Sequence, residues 1–306
     1  MISYVIRRCF ILIPTLIGIT LISFLILQLV PGDPARMIAG VEAKEQDIEA
    51  VRHQLGLDKP ILIQYGIFLK NLAKGDLGES IRTKNSVVYE IWPRLINTVR
   101  LALASLIISL PIGLIAGTIA AIRQNTIIDY VTMVCFLLGI STPTFWSGLI
   151  LVLIFSVHLG WFPSGGAEGL MSLVLPALTL GAATAAMTAR MIRSSLLDVL
   201  RQDYIRTARA KGQKESKVIS NHALKNALIP TVTVVGLQFG YLLGGAVLVE
   251  TIFTWPGLGR LIVDSIFIRD YPVVQGGIMF FAFSFVLVNL VVDVLYAYLD
   301  PRITYE

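Results

Sequence analysis

Read for runs free of Asp, Glu, Lys and Arg, the chain divides into six apolar stretches: Cys9 to Val30, Leu101 to Ile122, Tyr130 to Ala167, Gly169 to Ala189, Asn226 to Val249 and Tyr271 to Val292. Each reaches the roughly 20 residues that cross a hydrocarbon core. The third is overlong. Its tail, "HLGWFPSGGAEG", is rich in turn formers and interfacial aromatics, so one span is expected to end near Val157 and an external loop to follow. None of the runs shows the alternation of barrel strands. Backbone groups in lipid must be satisfied within the segment, so each run is expected to be a helix. The fold class expected is therefore an all-α membrane protein with six transmembrane helices.

Three regions emerge from this pattern: an N-terminal anchor span (1–30), a small helical domain outside the membrane (31–98), and a five-span core (99–306) carrying a basic loop at 190–228. The first apolar run exceeds the core of a signal peptide and continues into "VPGDPAR" without an A-x-A site, so it is expected to be retained as an anchor. In the external segment, "EAKEQDIEAVRHQLGL" sets Ile48, Val51 and Leu55 on one helical face, and "IQYGIFLKNL" continues the helical pattern.

Composition sharpens the class. The 306 residues are 55% hydrophobic and only 15% charged, with a formal net charge of +5, against about a quarter charged in soluble domains. The charges are clustered. Arg7 and Arg8 precede the first span, Arg123 lies between the second and third, and Arg190, Arg193, Arg201, Arg206, Arg209, Lys211, Lys214, Lys217 and Lys225 lie between the fourth and fifth. By the positive-inside rule both termini and the basic stretch face the cytosol. No aromatic and basic surface of a nucleic-acid binder is visible, so no nucleic-acid partner is expected beside the lipid bilayer.

Motifs for covalent chemistry are missing. The chain has no G-x-x-x-x-G-K-S/T phosphate loop, no H-E-x-x-H and no G-x-S-x-G. No catalytic residue and no cofactor are expected on this chain. Cys9 and Cys135 lie in different apolar runs, and His53, His158 and His222 are scattered, so no metal site is expected. Asp293 lies near the end of the last run, where snorkelling or pairing with an arginine suffices. Small residues recur at four-residue spacing in Gly236, Gly240 and Gly244 and in Gly113 and Gly117, faces suited to close helix packing within the chain.

The basic stretch has its own order. Arg201 to Lys211 is helix-forming, Gly212 interrupts it, and Glu215 to Leu228 resumes a helical pattern up to Pro230. Two helices meeting at a glycine make a structured elbow, more than orientation requires. This pattern resembles the "EAA" coupling loop in membrane subunits of bacterial ABC importers. The family's Glu-Ala-Ala falls on Arg206, Thr207 and Ala208, and its Ile-x-Leu-Pro on His222, Ala223, Leu224 and Lys225, so only Ala208, Gly212 and Leu224 match the general form. "RTARAKG" and "HALKNALIP" look like the version in the dipeptide, oligopeptide and nickel permease branch. The blocks "YVIRRCFILIPTLIGITLISFLILQLVPGDPA", "QLGLDKPILIQY", "GDLGES", "VETIFTWPGLGRLIVDSI", "RDYPVVQ" and "NLVVDVLYAYLDPRI" resemble the first permease subunit of that branch from Tyr4 to Ile303.

The resemblance implies a permease subunit of a bacterial or archaeal cytoplasmic (inner) membrane importer. Its partners would be a homologous second permease, two cytosolic ATPase subunits that bind ATP and Mg, and an external solute-binding protein. Tyr204, Arg206, Thr207, Ala208, Arg209, Lys211 and Gly212 would dock into an ATPase cleft. Polar residues at membrane depth, Ser141, Thr142, Thr144, Gln238 and Tyr241, are candidates for the solute path, and Glu250 for an outer gate. Di- or oligopeptides are the expected solute; nickel chelates or glutathione-type compounds are the alternatives. An independent secondary carrier is the rival class, although the midplane charges such a carrier uses are lacking.

Overall fold

The structure is a computed structural model that describes residues 2–29, 35–36, 43–54 and 56–299. Among them no β-strand occurs beyond one isolated bridge, Glu79 to Ser86. The helices are α1 (Ile2–Leu29), α2 (Glu45–Gln54), α3 (Ile61–Ala73), α4 (Val87–Ile122), α5 (Ile127–Ser141), α6 (Thr144–Leu151), α7 (Met171–Leu200), α8 (Asp203–Ala210), α9 (Glu215–Lys217), α10 (Leu224–Ile252), α11 (Leu258–Phe267) and α12 (Tyr271–Leu299). Two π-helical stretches, Val152–His158 and Val218–Ala223, extend α6 and join α9 to α10.

Among the described residues three helices, α4, α7 and α12, are long and apolar enough to cross a membrane, and the pair α5–α6 makes a fourth if counted as one broken span. The described side chains of α1 and α10 supply shorter apolar stretches, Phe10–Leu25 and Gln238–Ile252. The third apolar run is not the unbroken helix expected of it. It is bent by 109° between Ser141 and Thr144. Thr142 and Pro143 are both extended there, because proline drives the preceding residue out of the α region and cannot donate to the turn behind it. Pro111, by contrast, is carried inside the unbroken α4.

The chain forms two compact units. One comprises Asn97–Pro256 with the end of α12 from Leu287; the other comprises Ile2–Ile96 with Gly257–Val286. In the first, α7 is the central element. Ala177, Gly181, Thr184, Ala185, Thr188, Ala189, Ile192 and Leu196 are buried at helical spacing. Small residues let α4 approach closely: a methyl group added to Gly113 would lie 2.6 Å from the Ala185 carbonyl oxygen, and one at Gly117 would lie 2.4 Å from that of Ala189. The Gly113 and Gly117 face is thus used within the chain. Gly236 similarly faces Val292, whereas Gly244 has nothing within 4 Å of an added methyl.

In the second unit, Val87, Ile91, Leu258 and Val273 are buried together, with Leu77, Ile262 and Phe280 packed around them. The motifs "GDLGES" and "RDYPVVQ" meet here. Ser80 donates its hydroxyl to the buried Asp270 carboxylate, and the Ile81 amide donates to the same carboxylate at 3.1 Å. One acid thereby ties the turn before α4 to the start of α12. On α2, Ile48 is buried and Val51 half-buried; Leu55 lies outside the described residues, as do residues 30–34 of the "VPGDPA" block and the side chains of Arg7, Arg8 and Asp293.

Candidate coupling elbow and translocation face

The elbow is built on an amphipathic helix. In α8, Ile205 and Ala208 point inward, into a cluster with Ala121, Leu196, Val218, Ala223 and Ala227. Spaced by three, they share one face. Asp203 stands in the first turn and Arg209 in the last, the arrangement that suits the helix dipole. The helix stops at Gly212, whose φ of +72° favours glycine. The Gly212 amide donates to the Arg209 carbonyl at 2.9 Å and the Gln213 amide to that of Ala208 at 3.4 Å, a paired closure of the helix end that satisfies otherwise orphaned carbonyls.

Side chains then fix α8 to α9 and α10. Arg209 grips Glu215 at the start of α9, with Nη2 to Oε1 at 2.6 Å and Nε to Oε2 at 3.1 Å. This pairing holds the Glu215 carboxyl below its ordinary range and pushes the Arg209 guanidinium up. Asn226 of α10 donates to the Tyr204 hydroxyl at 3.0 Å and to the His222 carbonyl at 2.9 Å. The His222 ring nitrogen Nε2 lies 2.9 Å from Gln213 Oε1.

The expected docking residues therefore divide. Ala208 faces the elbow's own core, and Tyr204, Arg209 and Gly212 hold the elbow in shape. Arg206, Thr207 and Lys211 are left on the outer, exposed face, with Arg206 only 3.7 Å from Asp203 in a loose pair. The side-chain pairs Tyr204–Asn226 and His222–Gln213 were not foreseen, because their spacings of 22 and 9 residues give no periodic signal.

A second connection lies one helix away. Arg193 on α7 donates from Nε to Oδ1 of Asp129 at 2.6 Å and from Nη2 to Oδ2 at 2.7 Å, and the Asn125 amide reaches Oδ2 at 3.1 Å. Asp129 is buried, so this fork joins the start of α5 to the helix that leads into the elbow. Sequence analysis counted Arg193 among the orientation charges and gave Asp129 no role.

Four of the polar path candidates converge. Thr142 and Thr144, at the break between α5 and α6, and Gln238 and Tyr241, on α10, line one cavity of about 190 Å³ together with Ser147, Thr179 and Thr184. The polar part of the lining is hydroxyl and amide, without a charged side chain, and Ile140, Leu180 and Leu242 are among the apolar residues that complete it. Tyr241 is 75% exposed at its edge. Ser141 is exposed beside the break and does not line the cavity. Glu250 is elsewhere. It is fully buried and accepts a hydrogen bond from Thr98 Oγ1 at 2.5 Å, near the Trp255 indole bond to the Asn97 carbonyl at 3.1 Å. Among the described residues no group of three His, Cys, Asp or Glu could hold a metal ion.

This architecture recurs in transporters. A chain of the MetNI methionine ABC transporter, solved in inward-facing conformations, matches 70% of this chain and 97% of its own length with a TM-score of 0.59 at 18% identity. A chain of an amino acid ABC transporter solved with histidines covers 71% of this chain and 95% of its own at a TM-score of 0.54 and 16% identity. The fold is thus that of an ABC transporter permease. The chain belongs to the family of binding-protein-dependent transport system inner membrane components, whose model matches residues 109–305, with the family's N-terminal component matching 1–102. It is 50% identical over 306 residues to the glutathione transport system permease protein GsiC of Escherichia coli K12. It is 47% identical to the dipeptide transport system permease protein DppB of Alkalihalophilus pseudofirmus; both alignments cover all of each chain. It is a membrane-embedded permease subunit of an ABC importer, a family that is not itself the ATPase. That membership displaces the independent carrier.

Proposed function

We propose that this permease, paired with a homologous second permease, forms the path for short peptides or glutathione, and that the elbow of α8 to α10 is its contact with two ATPase subunits. Solute class rests on the relatives, one named for glutathione and one for dipeptides. The coupling role rests on one observation. Arg206 and Thr207 stand exposed on α8 and Lys211 at its end, while Ile205 and Ala208 are packed beneath the helix and Tyr204 and Arg209, themselves partly exposed, tie it to α10 and α9. A helix so fixed passes a push on its outer face to α7 and α10 rather than absorbing it, and exposed cations pair with acids on a partner.

In this proposal ATP and Mg act only on the partner subunits, and an external binding protein delivers the solute. Both termini and the elbow are cytosolic, six helices cross the membrane, and residues 31–98 lie on the external side. The cavity between the α5–α6 break, α7 and α10 is part of the path. Its uncharged donors and acceptors suit backbone amides, and they do so without a charge that would trap a zwitterion. Glu250 acts as a buried brace at the outer end of α10.

The test is purification of the tagged chain in mild detergent beside an Arg206→Glu/Lys211→Glu variant, followed by uptake of labelled dipeptide and glutathione into liposomes holding each complex. The expected result is a phosphate-loop ATPase that co-purifies with the parent and is depleted in the variant, with uptake lost in parallel. Equal ATPase recovery and uptake in both would overturn the coupling role; uptake of neither solute by an ATP-hydrolysing complex supplied with its solute-binding protein would overturn the solute class.

A further inference from the structure

The helix α3 carries a surface that its expected aqueous surroundings do not explain. Its sequence, ILIQYGIFLKNLA, has one charge, Lys70, and none of its residues is buried. Leu62 is 81% exposed, and Ile61 and Ile63 about half. Thirteen residues make a helix of about 20 Å, too short to span a core of about 30 Å. Apolar segments of this length are commonly interfacial or re-entrant.

Its contacts fix its depth. The Tyr65 hydroxyl lies 2.8 Å from Thr20 Oγ1 and donates to the Ile17 carbonyl at 3.4 Å. Phe24 packs on the rings of Tyr65 and Phe68, at centroid separations of 5.4 and 5.9 Å. Gln28 donates to the Gln64 side-chain oxygen at 2.9 Å. All of these partners belong to the apolar run of α1 that ends at Val30. At 1.5 Å per residue, Phe24 lies about 9 Å and Thr20 about 15 Å inside that end, the latter half the thickness of the hydrocarbon core. A helix held to α1 at these levels does not sit in water beyond its tip.

We infer that α3 is immersed in one leaflet of the bilayer, with Leu62 and its aliphatic neighbours against lipid acyl chains. The lipid-facing character continues along α1 itself, where Phe10, Ile13, Ile17, Leu21 and Ile22 are exposed. Polar groups are arranged to match. Thr20 and Tyr65 satisfy each other at depth, and the Gln28–Gln64 amide pair lies nearer the headgroups. The preceding α2, EQDIEAVRHQ, holds the charges that belong in water. Assignment to the outer leaflet and the depth of immersion both rest on α1 crossing the bilayer as proposed above.

The experiment uses the transporter complex purified through a tag on this chain and reconstituted in liposomes, with Cys9 and Cys135 replaced by serine. A nitroxide is attached to Leu62→Cys and, separately, to Glu49→Cys on α2, and its relaxation by oxygen is compared with that by a water-soluble nickel chelate. Oxygen is expected to dominate at Leu62 and the nickel chelate at Glu49. Dominance of nickel at Leu62 would overturn the inference in favour of an aqueous domain, and low access to both would overturn it in favour of a protein partner. Gly66→Cys is a second site, since an added side chain there meets nothing within 4 Å. The readout needs no active uptake, so failure of the solute assignment leaves it standing.

Discussion

The packing of α4 on α7 and the packing of α8 in the elbow solve the same problem in different solvents. Between α4 and α7 the contact is made by Gly113, Gly117, Gly181, Ala185 and Ala189, with backbone nearly touching backbone. Under α8 it is made by Ile205, Val218 and Leu196 around small alanines, as in a soluble domain. Lipid tails are as apolar as leucine, so burial of aliphatic surface drives nothing there, and close approach and polar bonds must hold the helices. With the elbow in the cytosol, as proposed, water restores the hydrophobic term. Large aliphatics in the membrane unit accordingly face outward, as at Ile107 and Ile115, which are 71% and 61% exposed.

The largest effect that separates the two regions is expected at Asp129. Replacing it by alanine leaves the partly exposed Arg193 without its fork partner, at a cost of up to about 3 kcal/mol, the lower end of what breaking a buried pair from one side costs. The measurement is thermal unfolding of the purified chain in detergent, with the Ile115→Ala change on the exposed face as reference. An Asp129→Ala midpoint equal to that of the reference would show that the fork does not hold α5 to α7.

Gly117→Val is next. Its side chain would meet the Ala189 carbonyl oxygen and the backbone around it, which cannot yield as a flexible side chain does. Overpacking of this kind costs about 1–3 kcal/mol and sometimes more. Ile115→Val, two residues away and facing outward, is expected to change the midpoint little.

These two positions also show how much the sequence reveals. The membrane class, the helical fold and the elbow were legible, because long charge-free runs and a glycine between two basic helices are local patterns. The α5–α6 break was not legible: Pro143 stands at it, but Pro111 is carried inside an unbroken helix, so a proline in an apolar run does not by itself mark a 109° bend. The Asp129–Arg193 fork was not legible, since 64 residues separate the partners and each alone reads as an interfacial charge. The burial of Glu250 was hidden for the same reason. Its partner Thr98 is 152 residues away. Thr142, Thr144, Gln238 and Tyr241 share a cavity, and polar side chains inside apolar runs are a local signal that the sequence carries openly.

In the elbow, Gly212→Ala is expected to cost about 1–2 kcal/mol, the penalty of placing a Cβ in the left-handed region. An added methyl meets nothing within 4 Å, so the cost is conformational and not steric. The prediction is a lowered midpoint with ATPase co-purification partly retained. A wild-type midpoint would mean that the chain leaves the helix by another route.

The smallest effect distinguishes the surface pair of the elbow from the buried fork. Arg209 and Glu215 are 43% and 53% exposed, and exposed pairs contribute below about 1 kcal/mol. The Glu215 carboxyl is held below its reference value of 4.5, chiefly by the hydrogen bonds from Arg209. A lowered carboxylate contributes stability that is complete above its unfolded value and is lost as pH falls through its folded one. Arg209 is raised and stays charged throughout that range, so only the glutamate titrates. The unfolding midpoint of the wild type should therefore exceed that of Glu215→Gln at pH 7, with the gap closing as the pH falls below about 4. A gap that persists unchanged into acid would mean that the glutamate acts through its shape and not its charge, and the two regions would then be held by the same kind of contact after all.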